Sequence, residues 1–205
     1  DFLVRKDGID EVTARVIASA TQGHIGRARA LARHPEARER RFEIARIPLE
    51  FRSLGGVVSA AEKIVAEAQT RAATLCDELD AQELENLQSS WGVQEKGKRP
   101  SGYAGALSSL TKDQDSRRKR IARDEIDRVL LELMSVLRDV LSVQLGVESD
   151  LINLDMKAGA EELAARTTPE KTLEALDAIT HCREALSANS APQIALENMF
   201  LRMVS

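Results

Sequence analysis

The chain has 205 residues, a formal net charge of −4 and a pI near 5.6, so no global charge draws it to nucleic acid. It is 43% hydrophobic, almost entirely through Ala, Leu, Val and Ile, with one Trp, one Tyr and four Phe. Scarce aromatics and abundant helix formers disfavour strands and predict an all-α fold, a helical bundle. No run approaches the ~20 apolar residues of a membrane span. Cys76 and Cys182 are far apart within apolar helical patterns and read as buried free thiols, consistent with a reducing cytoplasm. The opening Asp1-Phe2-Leu3-Val4-Arg5 is no signal peptide and does not begin with Met, so the chain reads as a fragment of a longer protein.

In chain order, Ile9, Val12, Val16, Ile17 and Ala20 have helical spacing after Asp7-Gly8. Gln22-Gly23-His24-Ile25-Gly26 breaks the pattern, and a second helix runs from about Ile25 to Ala32, ending near Pro35. Apolar positions from Phe42 to Leu54 follow, with Pro48 as an expected kink or break and Gly55-Gly56 as punctuation. A long helix is predicted over 57–91, ~50 Å if unbroken. Residues 92–111, with Gly92, Gly97, Pro100, Gly102 and Gly105, are the expected linker, the most mobile internal segment, with first protease cuts at Lys96, Lys98 or Arg99. A second long helix spans 113–145. Its back half is apolar on most sides, which places it at the centre of a bundle. Gly146 ends it, and Leu151 to Leu163 reads as two helical turns. Thr168 caps and Pro169 starts the next helix. Asn189 or Ser190 is the expected cap of a final helix led by Pro192.

That final helix carries Ile194, Leu196, Met199, Phe200, Leu201, Met203 and Val204, more apolar positions than one buried face needs, which points to a partner surface. Pro192, Leu196, Phe200, Leu201 and Met203 are the candidate interface residues, with Phe200 and Met203 on one side and Leu196 and Leu201 elsewhere. No catalytic constellation is present. His24, His34 and His181 are scattered without zinc-motif partners, no Gly-x-Ser-x-Gly elbow occurs, and no phosphate loop is found, so neither metal nor nucleotide cofactor is expected. Arg117, Arg118, Lys119 and Arg120 form the densest basic cluster, a candidate nucleic-acid patch. Residues 112–128 balance seven basic side chains with five acidic ones, many three or four apart, so a solvated helix face is the simpler reading.

Three elements together resemble the bacterial DNA polymerase III clamp-loader family. Gln22 to Leu31 is similar to the last helix of the lid subdomain of its AAA+ modules, with Gly23 and Ala28 matching, Gly26 at the position of the nucleotide-sensing arginine, and Arg27 one residue out of place. Leu137-Arg138-Asp139-Val140-Leu141 looks like a Leu-Arg-Asp-Leu-Leu element of the collar domain. Asn189, Pro192 and Ala195-Leu196-Glu197 keep the order of the closing collar element. Gly26 in place of arginine is the pattern of the delta-prime branch, whose module does not hydrolyse ATP.

The resemblance implies a lid remnant at 1–35 and a collar, or oligomerisation, domain at 36–205. The implied role is DNA replication without catalysis: a structural joint in the pentameric clamp loader. Its implied partners are the gamma/tau and delta subunits, with the sliding clamp and primer-template DNA met only through the whole complex, in the cytoplasm and away from membranes. The family's ATPase-like module, with its zinc site and arginine finger, has no counterpart in these residues. The alternative from another class is a helical nucleic-acid-binding module using the basic cluster at 117–128.

Overall fold

The computed structural model describes residues 2–50, 54–93, 100–147 and 151–204. The helices are α1 (Phe2–Asp7), α2 (Glu11–Ala20), α3 (Ile25–Arg33), α4 (Pro35–Glu50), α5 (Leu54–Ser90), α6 (Tyr103–Gln144), α7 (Lys157–Arg166), α8 (Pro169–Ser187) and α9 (Pro192–Val204), with a 3-10 turn at Leu154–Met156 before α7. No strand occurs among the described residues, as the composition predicts. The chain forms two compact units, residues 1–61 with 128–205, and residues 62–127.

Local chemistry explains most helix ends. Asp10 caps α2 by accepting from the Thr13 amide at 2.9 Å, and this pairing with Thr13 lowers its pKa. His24 caps α3, its Nδ1 accepting from the Arg27 amide at 3.2 Å. Thr168 caps α8 with Pro169 in the first turn, as expected. Four of the described helices close with a left-handed residue followed by a six-to-one amide bond: α2 at Gln22, α5 at Gly92, α6 at Gly146 and α8 at Asn189.

The structure revises several expected boundaries. Pro48 lies inside the last turn of α4 without ending it, and Gly55 and Gly56 lie inside α5, whose described part begins at Leu54. The linker expected over 92–111 is shorter on its far side, because α6 starts at Tyr103 rather than near 113. Tyr103 is almost wholly buried and sets that start. The expected cut sites Lys96, Lys98 and Arg99 lie outside the described residues. Asn189 terminates α8 in the left-handed region instead of capping α9; its amide reaches the Leu186 carbonyl at 3.1 Å and the Ser190 amide reaches that of Ala185 at 2.9 Å.

In the unit built from 1–61 and 128–205, the back half of α6 is the axis. Val129, Leu130, Leu133, Val136, Leu137 and Val140 are all buried, so this helix is covered on most sides, as its apolar pattern requires. Ala45 of α4 and Met156 pack on Val136, with Leu49 against the same group. α7 runs so close to α4 that a Cβ on Gly159 would stand 2.6 Å from Leu49 Cδ1. Leu3, Ala14, Ile17 and Ala28 form a separate small core among α1, α2 and α3. Asp7 clamps that core by accepting from Arg29 Nε at 3.3 Å and Arg33 Nε at 2.9 Å. At the carboxyl end α8 and α9 pair through buried Ala178, Ile179, Cys182 and Leu186 against Leu196, Met199 and Phe200.

The unit of residues 62–127 is an antiparallel hairpin of α5 and α6. Small residues Ala68, Ala72 and Cys76 are buried along the seam. The far end is closed by Trp91 and Tyr103, whose rings meet edge to face at 6.3 Å. Gly102, at φ +90°, lies under Trp91, and an added Cβ would come within 3.1 Å of that ring. Gly102→Ala therefore destabilises by at least about 1 kcal/mol, from the left-handed backbone alone. Gly105→Ala has open space and a helical backbone, and gains about 0.5 kcal/mol. Urea unfolding of the two variants should move in opposite directions.

Candidate functional site

The closing hairpin α8–α9 sorts its apolar side chains cleanly. Leu196 and Phe200, four apart, share the fully buried face with Ala195 and Met199. Ile194 and Leu201, seven apart and so on one side of the helix, are 67% and 41% exposed. Met203 and Pro192 are half-buried. The division thus differs from the expected pairing of Phe200 with Met203 against Leu196 with Leu201. Helical spacing from the Ile179–Leu186 face of α8 decides it. Leu173, near the start of α8, is half exposed and was absent from the expected interface; only the packing of α8 against its neighbours reveals which of its leucines stays outside.

The lid-like residues are placed by polar contacts. Gly23, at φ +77°, makes the turn into α3, Ala28 is buried in the small core, and Gly26 faces the His24 ring. Arg27 points its guanidinium at Glu132 of α6, 3.6 Å away. Glu132 also takes Arg41 Nε at 3.1 Å, and Arg41 reaches Asp155 at 3.4 Å and the Asn153 side-chain carbonyl.

Below this pair lies Asp139, the acid of the Leu137–Leu141 element, which is 1% exposed. Its carboxylate accepts from the backbone amides of Ile152 at 3.0 Å and Asn153 at 2.7 Å, from Asn153 Nδ2 at 2.8 Å, and from Arg138 at 3.2 Å. A buried carboxylate is tolerable because these donors replace its water. The sequence signal was available: an Arg138-Asp139 pair inside the mainly apolar run from Leu133 to Leu141 must have partners.

The basic cluster splits. Arg117 and Arg118 turn into the hairpin, Arg117 on Asp80 and Glu83, Arg118 on Asp77 at 2.9 Å and Asp80 at 2.6 Å. Lys119 and Arg120 are exposed. Burial opposes the charge on Asp80, but hydrogen bonds from Arg117 and Arg118 outweigh it and hold its carboxyl below the usual range. Arg117 and Gln114 do the same for Glu83. Half of the candidate nucleic-acid patch is therefore neutralised within the fold.

Cys76 and Cys182 are free and buried, and burial pushes the Cys182 thiol up to about 11, which makes it unreactive near neutral pH. His181 is exposed and bonds its own helix at the Asp177 carbonyl, and His34 contacts Glu36. Among the described residues no group of three or more His, Cys, Asp or Glu side chains can hold a metal ion, and no helix is long and apolar enough to cross a membrane.

The segment from the middle of α6 to α9, holding Asp139 and the closing hairpin, is also the part that resembles known proteins. Residues 119–204 match the family model described as DNA polymerase III, delta subunit, C terminal. The matched region is thus similar to the C-terminal domain of a clamp-loader subunit. No curated protein and no solved structure matches the chain.

Two outcomes follow from this geometry. Asp139→Ala strands two backbone amides and costs about 3 kcal/mol, read as a lowered thermal midpoint. In the hairpin, Asp80 and Glu83 have lowered pKa values, so their contribution is complete above the ordinary carboxylate values of 3.8 and 4.5. It is lost as pH falls through the lower folded values. Urea unfolding followed from pH 7 to pH 2 should show this acid loss, and Asp80→Asn should flatten it.

Proposed function

We propose that this chain is the lid-and-collar part of a clamp-loader protein of the delta-prime type, and that it works by assembly and not by catalysis. The observation that carries the reading is the exposed pair Ile194 and Leu201 on α9, inside the segment 119–204 that matches the delta family model. A terminal helix whose buried face is already complete has no internal use for a second apolar face, and such a face suits a neighbouring subunit. The partners on this reading are gamma/tau and delta. The sliding clamp and primer-template DNA are reached only through the complete complex, in the cytoplasm.

Gly26 at the position of the sensing arginine supports the delta-prime branch. Arg27, one residue along, faces Glu132 at 3.6 Å in the fold. The chain by itself is no enzyme on this reading and takes no cofactor. The basic cluster gains no support as a DNA site, because Arg117 and Arg118 serve the hairpin.

Ile194→Glu and Leu201→Glu test the proposal. Substitutions on exposed positions change stability by about 0.5 kcal/mol, so the thermal melt should barely move. A pull-down of the full-length protein with gamma/tau and delta should lose the partners, because apolar anchors dominate interface energy. Retained assembly in both variants, with melts unchanged, would defeat the interface role.

A further inference from the structure

We infer that α1, α2 and α3 form a module held to the rest of its unit by a weak, salt-sensitive latch, and that it undocks without global unfolding. The module has its own core, Leu3, Ala14, Ile17 and Ala28, and its own clamp, Asp7 with Arg29 and Arg33. The body against which it rests has another, Ala45, Val136 and Met156. Separation therefore leaves the second core closed and uncovers the first at its edge, where Ile17 lines the seam.

The seam between them is poorly filled. A cavity of about 140 Å³ lies there, with Val16, Ile17, Ala20 and Leu31 on the module side and Arg41 and Asp155 on the body side. Direct bonds across it among the described residues include the Ser19 hydroxyl donating to the Leu151 carbonyl at 2.5 Å and the Arg27–Glu132 pair at 3.6 Å. Arg27 is 59% exposed, so water and salt screen that pair. Arg38 donates to the Leu31 and Ala32 carbonyls at 2.7 and 2.9 Å, but these bonds sit beside the His34–Pro35 junction and mark the pivot. Glu132 keeps Arg41 when Arg27 leaves, so opening abandons no buried charge.

The test places a thiol in the seam by Ala20→Cys and labels the full chain with a maleimide on a polymer too bulky for the cavity. Cys76 and Cys182, both buried, are the internal clocks for wider opening. Site-resolved mass spectrometry should find position 20 labelled well before both native thiols, and faster at higher salt. Adding Arg27→Ala should raise that rate by about two- to fivefold, the range of a surface ion pair, with the thermal melt nearly unchanged. Labelling of position 20 only in step with Cys76 and Cys182, or a rate indifferent to Arg27→Ala, would overturn the latch.

Discussion

Asp139 is the constraint on which the collar-like part depends. Its buried carboxylate gathers the amides of Ile152 and Asn153, so the chain leaving α6 must return across that helix at one place. Once the return is fixed, the 3-10 turn puts Met156 against Ala45 and Val136, and α7 follows with Gly159 against Leu49. The end of α6 reinforces the path: Gln144 donates to Thr167 at 3.1 Å and accepts from the Thr172 hydroxyl at 2.9 Å. Together these bonds decide where α8 begins, and so where the closing hairpin stands.

Arginine has two uses in this protein. In the first unit Arg41 is buried among Glu132, Asn153 and Asp155, donating to Asn153 and Asp155 and standing in ion-pair range of Glu132. In the hairpin Arg117 and Arg118 replace an apolar layer between Cys76 and Tyr103, meeting Asp77, Asp80 and Glu83. Such a polar layer adds less stability than leucines of similar volume, yet it pins the register of two long helices. It also pairs two of the four clustered basic side chains with acids, while Lys119 and Arg120 stay exposed.

The functional consequence is an architecture of surfaces. A buried scaffold holds α8 and α9 in one arrangement, and that arrangement leaves Ile194 and Leu201 outside while Leu196 and Phe200 stay inside. On the proposed reading, apolar side chains supported in this way would need no reordering on contact, which lowers the entropic cost of association. The Asp139 element and the Asn189–Pro192 element are therefore related physically: one fixes the path into the closing hairpin, and the other turns the corner within it.

The sequence by itself determined the helical class, the apolar centrality of the back half of α6, and the caps at Thr168 and Gly146, because these depend on residues a few positions apart. Composition and periodicity are local quantities, and no long-range contact reverses them here. What only the tertiary structure decided is which partner each ambiguous residue chose. Asn189 had two helices to serve and closed α8, Arg117 and Arg118 had solvent or acids and took Asp80 and Glu83, and Arg27 turned to Glu132. The faces of α9 were ambiguous for the same reason: an over-apolar helix has several faces fit for burial, and the position of α8, set by distant bonds at Asp139, selects the one that is used.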